Sequence, residues 1–197
     1  MKGHAMKSKT SRFAKIFRVR KAGVFARFAR DKRGVSAIEF AMLLPLMVTL
    51  FLGGVEISQA VSIDRKVTLT TRTVADLASQ VATTTNADMT NILNASTSVM
   101  SPYGTSTLKI TISCVTIDSA GRATVAWSDT RNGTARTVGS AVTLPSALAV
   151  PSTTLIFSEV SYGYTPTIGK FITGTLSLAD LLYMRPRLSD TITRTAT

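Results

Sequence analysis

No stretch of this chain narrows the possible folds as much as Arg33 to Leu52, which reads RGVSAIEFAMLLPLMVTLFL. From Val35 to Ile63 there is no Lys or Arg, and as a helix those 29 residues extend roughly 43 Å, more than the ~30 Å hydrocarbon core of a bilayer requires. The most apolar part, Phe40 to Val55, is extended by Val35, Ala37 and Ile38 before it and by Ile57, Ala60 and Val61 after it. A transmembrane helix over 35–63 is therefore expected. Two residues in it are not what a plain anchor needs: Glu39 near one end and Pro45 inside.

Charge then sets an orientation. The formal net charge is +12, but residues 1–34 hold twelve Lys/Arg against the single Asp31, while the other 163 residues are nearly neutral. The basic character belongs to a leader, which removes most of the support for a nucleic-acid-binding domain. Twelve cations just before the apolar run and balanced charge after it place the leader in the cytoplasm and the body outside, by the positive-inside rule. Within the leader, Phe13, Ile16, Phe17, Val24 and Phe28 cluster at helical spacing with Arg20 and Arg27 at the margin, an imperfect amphipathic basic helix suited to an anionic leaflet. A charged tail that only fixes topology and an organellar transit peptide are the other readings. A cleaved secretory signal ending near Ser58-Gln59-Ala60 is a rival that the long apolar run and its internal charge disfavour.

After the span, Ile63, Val67, Val74, Leu77 and Val81 keep a helix-compatible stripe, so the helix is expected to leave the membrane and run to about Val81, despite threonines at 68, 70, 71 and 73. Asn86 reads as the N-cap of a shorter helix that ends before Pro102 and Gly104. From Gly104 the pattern becomes β. TLKITISCVTI alternates and is β-branched, DSAG supplies a turn, RATVAWSD reads as the antiparallel return, and TLIFSEVSYGYT is a third strand. The linker between the second and third strands, with Asn132-Gly133 and two prolines, is expected to be loop-rich with one edge strand. The tail SLADLLYMRPRLSDTITRTAT is expected to begin as a short helix broken by Pro186.

Chemistry-bearing residues are few. Cys114 is the sole cysteine and reads as a small buried apolar residue, with an intermolecular disulfide as the other possibility. His4 is the sole histidine and lies in the leader, which leaves no metal-ligand set and no His base for a triad in the body. Asp118, Asp129 and Glu159 are scattered along the chain. No enzyme, no cofactor and no metal are expected. Trp127, Tyr162 and Tyr164 fit core or edge packing better than a binding face, and Arg185-Pro186-Arg187 forms a small basic patch.

An intramembrane carboxylate costs on the order of 2.5 to 3.5 kcal/mol at mid-bilayer and so calls for a named partner. For Glu39 the cations in reach by snorkelling are Lys32 and Arg33; a cut after Gly34 would supply a new one, the α-amine of Val35. Lys32-Arg33-Gly34, Glu39-Phe40 five and six residues on and the apolar helix that follows resemble the processing site of type IV prepilins. Within that group, RGVSAIEFAMLLPLMVTLFLGGVEI is similar to the opening of the TadE-like (TadE/TadG) proteins of tight-adherence, or Flp, pilus systems. The match rests on Arg33-Gly34, Glu39-Phe40-Ala41, Pro45, the apolar run and Glu56, and covers about residues 33–80.

The resemblance implies a pilin-like precursor cut on the cytoplasmic side, after Gly34, by a prepilin peptidase, with Glu39 serving peptidase recognition or pairing with a neighbouring subunit's amine. Its implied partners are the inner membrane, other pilins or pseudopilins and the pilus assembly machinery. Phe40 stands where major Flp pilins often have Tyr, and the leader and outer domain are large, which favours a minor pilin or assembly protein. Pro45 is expected to kink the helix by freeing the carbonyl of Ala41. Ala37 and Ala41, and Gly53-Gly54, offer thin surfaces for close helix approach. Glu56 reads as an anchor at the outer interface that could face Arg65 or Lys66 of another chain.

The reading as a whole is an α+β, pilin-like chain: a basic leader (1–34), a transmembrane helix (35–63), a helical stalk with a second helix (64–103) and an exported antiparallel β domain (104–197). The expected role is structural, a minor pilin or pseudopilin. The alternatives are a permanently anchored single-pass envelope protein whose outer domain binds a partner, and an envelope hydrolase.

Overall fold

A computed structural model describes residues 33–195; the basic leader up to residue 32 lies outside the described residues. The fold class is the α+β class expected. The chain divides into two compact units, Met1–Phe51 and Leu52–Thr197. Helix α1, Arg33–Ser79, contributes to both, and is followed by β1 (Thr83–Thr84), α2 (Asn86–Ser98), β2 (Leu108–Ile117), β3 (Ala123–Arg131), β4 (Thr153–Tyr164), the single turn α3 (Lys170–Thr173), β5 (Leu176–Met184) and β6 (Thr193–Arg194).

The larger unit is built on a four-stranded antiparallel sheet in the order β3-β2-β4-β5. Alternation along β2 sends Leu108, Ile110, Ile112 and Cys114 to one face, where they meet Ile156 and Val160 of β4 and the outer stretch of α1, through Ile63, Val67, Val74 and Ala78. Met89 and Leu93 of α2 close the same core. Each fully buried Val or Ile here contributes roughly 1.5–3 kcal/mol, so this stretch of α1 is held by its apolar stripe. The threonines in that stretch do not leave polar groups stranded. Thr70 and Thr71 are buried, and their hydroxyls donate to the carbonyls of Lys66 (2.8 Å) and Val67 (2.9 Å) one turn back.

Cys114 pairs with Trp127 but Val115 with Val125, leaving Ala126 as an extra residue in β3. That bulge turns Trp127 toward the α1 face and Val125 toward the other, although the two are only two residues apart. On the second face a smaller core gathers Val115, Ile117, Val125, Leu155 and Phe157 beneath Val142, Leu144 and Leu148 of the β3–β4 connection. The β2–β3 turn is set by Asp118, whose Oδ1 accepts the Ala120 and Arg122 amides at 2.9 and 2.8 Å, and by Gly121 at φ +79°.

Four expectations change. The N-cap of α2 is Thr85, not Asn86: Thr85 is extended, its hydroxyl accepts the Asp88 amide, and the Asp88 carboxylate accepts the Thr85 amide, a reciprocal capping box. Helix α1 stops at Ser79 rather than near Val81. Arg187 N–H donates to the Ser79 carbonyl at 2.9 Å, so a later segment supplies the cap. The tail does not begin as a helix. Leu176–Met184 is β5, because β4 would otherwise present a bare row of backbone donors and acceptors, and because alternation puts Leu178 in the α1 core while Tyr183 stacks on Phe157 at 4.4 Å on the other side. The linker supplies no edge strand either; it makes one isolated bridge, Thr124 to Ala141.

Cys114 is a free, buried thiol, as read from the strand pattern, and burial pushes its pKa up to about 11. It therefore stays protonated and inert at neutral pH.

Candidate functional site

Every residue from Gly34 to Phe51 is exposed. Among them Ile38 is 64 %, Met42 77 %, Leu50 68 % and Phe51 71 % exposed, although residues of these types are normally the most buried. Soluble proteins rarely leave so large a continuous apolar surface bare, and a surface apolar all round is what lipid or other apolar helices cover. Among the described residues α1 is long and apolar enough to cross a membrane. About 20 residues span the hydrocarbon core, so a span beginning at Val35 is complete near Gly54.

The helix continues through Pro45, and the Thr49 hydroxyl donates to the Pro45 carbonyl at 2.8 Å, so that this polar group needs no partner from lipid. Gly34, Gly53 and Gly54 each have open space where a Cβ would stand, so packing within the chain does not require glycine at any of them. Ala37, Phe40 and Ala41 are exposed alongside Glu39. Among the side chains described, no cation pairs with Glu39.

Glu56 is held within its own chain. Its carboxylate accepts the backbone amides of Ile168 and Gly169, the latter at 2.9 Å, in the loop that follows β4. A Cβ on Gly169 would lie 2.9 Å from Glu56 Oε2, so glycine there is what lets the loop backbone approach the acid. Tyr164, at the end of β4, adds a second tie through its hydroxyl, 3.3 Å from Gln59 Oε1. Burial first, and then the Glu56 charge, push the Tyr164 pKa up, which keeps the hydroxyl a donor. These residues join the end of the apolar stretch to the sheet. Gln59, Tyr164, Ile168 and Gly169 carried no signal of this in the sequence, because the partners lie more than a hundred residues apart.

Glu56→Ala should leave two amides without their acceptor, and Gly169→Ala should displace the carboxylate. Since Ile168 and Gly169 lie outside both apolar cores, the expected effect is local: amide exchange at Ile168 and Gly169 faster by about tenfold, with global unfolding changed by about 1 kcal/mol or less. Hydrogen exchange read by NMR checks this, and unchanged protection at both amides would contradict the clamp.

The remaining candidates are separate from this junction. Trp127 is core, with Nε1–H donating to the Ile192 carbonyl at 2.8 Å. Tyr162 packs partly buried beside the α1 core. The three acids scattered along the sequence face arginines rather than one another: Asp118 faces Arg122, Asp129 faces Arg194 and Glu159 faces Arg136, at 2.8, 2.9 and 2.7 Å. Arg187 of the basic patch pairs with Asp76 of α1 at 2.7 Å. Among the described residues no group of His, Cys, Asp and Glu is placed to hold a metal ion.

A family model described as TadE-like protein matches residues 34–76, from the glycine at the head of the exposed helix to the acid that pairs with Arg187. No curated protein and no solved structure matches the chain. The match covers the apolar helix, Glu39, Pro45 and Glu56 together, so it is in that segment that the chain is similar to the TadE-like proteins.

Proposed function

We propose that this chain is a minor pilin or pseudopilin, or a membrane-anchored assembly component, of a tight-adherence (Flp) type IV pilus. Its α1 sits in the inner membrane with the leader in the cytoplasm and the Leu52–Thr197 unit on the periplasmic side. A prepilin peptidase cuts after Gly34, and the Glu39 carboxylate is neutralised by the α-amine of Val35 on a neighbouring subunit. The role is structural, not catalytic.

The observation that carries this reading is the TadE-like match over a helix whose first part is bare on every side. Two details support it. Gly34 has open space where a Cβ would stand, so a role as the processing residue does not compete with a packing role there. Glu39 is a carboxylate inside the apolar run, and a helix bundle of like subunits would supply a counter-charge within the membrane.

N-terminal sequencing of the membrane-fraction protein, with Gly34→Ala and Glu39→Ala beside the wild type, tests the proposal. A mature chain beginning at Val35 that disappears in Gly34→Ala supports it; full-length chain in all three defeats the processing step. The second reading, a permanently anchored envelope protein whose outer domain binds a partner, draws on an open concavity of about 500 Å³ on the bare part of the sheet, lined by Lys109, Arg136, Glu159 and Asp180. Unprocessed protein in that experiment would favour it.

A further inference from the structure

We infer that the β4–β5 connection, residues 165–175, is a second membrane contact: it lies in the interfacial zone of the bilayer that α1 enters, with Ile168 at the acyl-chain boundary and Lys170 at anionic headgroups. The inference rests on the reading of Val35–Val55 as a membrane span.

The height of the loop is set by hydrogen bonds within the Leu52–Thr197 unit. A span of about 20 residues from Val35 ends near Gly54, which puts Glu56 in the interface. The Glu56 carboxylate holds the backbone of Ile168 and Gly169 within hydrogen-bond distance, so the loop occupies the same level as Glu56. The bond from Tyr164 to Gln59, one helical turn further out, orients the strand end above it.

What the loop presents at that level suits an interface. Ile168 is 51 % exposed, and Ile57, the residue after Glu56, is 68 % exposed. Leu176, at the start of β5, is 37 % exposed. The loop sequence TPTIGKFITGT holds three large apolar residues, one cation and no acid. In water the exposed Ile57, Ile168 and Leu176 would be a liability; at the headgroup boundary these three are covered and Lys170 can extend to phosphate. The bilayer is the occupant argued here because it is present whenever α1 is inserted, whereas a protein partner would have to be recruited to the same spot.

The test uses the full chain in vesicles of phosphatidylethanolamine and phosphatidylglycerol, with nitroxide labels on Ile168→Cys, Lys170→Cys, Leu50→Cys and Ser119→Cys. Cys114 is buried and stays unlabelled in the folded protein. Ser119 is in the β2–β3 turn, at the opposite end of β2 from the strand end that pairs with Tyr162. Collision with oxygen relative to a water-soluble nickel chelate is read at each site. The expected result is an oxygen-to-nickel ratio at Ile168 several-fold above that at Ser119 and below that at Leu50, with Lys170 between Ile168 and Ser119. If Leu50 reports lipid but Ile168 matches Ser119, the loop contact is overturned while the span stands. If Leu50 also reports water, the span reading itself fails. Shielding of Ile168 from both reagents, with spin–spin broadening, would show a second copy of the chain there and overturn the lipid contact.

Discussion

Leu46→Lys and Leu50→Lys together will release the chain from membranes while leaving the Leu52–Thr197 unit folded. The two positions are one helical turn apart on the same side of α1, Leu46 close to the middle of the span and Leu50 about one turn from its outer end, and they are 58 and 68 % exposed. A lysine at the centre costs roughly 2.5–3.5 kcal/mol by insertion scales and one nearer the end costs less, so the pair costs about 4–6 kcal/mol, on the order of a thousandfold or more in partition. Lysine is a good helix former and neither leucine supports the sheet core, so circular dichroism of the unit should be unchanged. Alkaline extraction of membranes reads the outcome: wild type in the pellet, double variant in the supernatant. Leu69→Lys, at a 49 % exposed position beyond Glu56, is the control and should remain in the pellet. A double variant that stays in the pellet would mean that something other than the apolar helix binds the membrane.

Trp127→Ala will cost about 3–5 kcal/mol of stability, a large share of the roughly 5–15 kcal/mol available to a domain. The ring is 6 % exposed in the core shared by β2, β4 and α1, and its N–H is the partner of the Ile192 carbonyl. Ile192 is itself buried and precedes β6, which pairs in parallel with β1. Removing the indole therefore opens a cavity and also unties the C-terminal segment from the sheet. Trp127→Phe separates the two effects: it keeps most of the apolar volume, leaves the Ile192 carbonyl without its donor, and should cost about 1–3 kcal/mol. Urea unfolding followed by circular dichroism is the measurement, since Trp127 is the only tryptophan and fluorescence vanishes with it. A loss below about 1 kcal/mol for Trp127→Ala would contradict this account of the core.

Local patterns were legible wherever a residue's neighbours along the chain decide its state. The apolar run predicts a helix whatever surrounds it, the β-branched alternation of residues 107–117 predicts a strand, and Asp118 to Gly121 predicts its turn; the structure has all three. The second helix was legible too, but not its cap: both Thr85 and Asn86 suit the role, and the choice went to the residue with an acid three positions on. Leu176–Met184 was misread because a short run rich in Leu carries no periodicity that separates helix from strand. Its state is decided by the open edge of β4, which the local sequence does not contain.

The sequence by itself determined the apolar helix with its acid, proline and far-end glutamate, and with them the similarity of that segment to TadE-like proteins, because hydropathy and spacing along one helix are properties of consecutive residues. Only the tertiary structure decided that the outer stretch of α1 is a wall of the sheet's core, through Ile63, Val67, Val74 and Ala78. It also decided that Glu56, which looked free to face another chain, is held by the amides of Ile168 and Gly169. The physical reason is the same in both cases. Burial and hydrogen bonding join groups far apart in the chain, and which groups meet depends on the register of β4 and β5, not on any motif around Glu56.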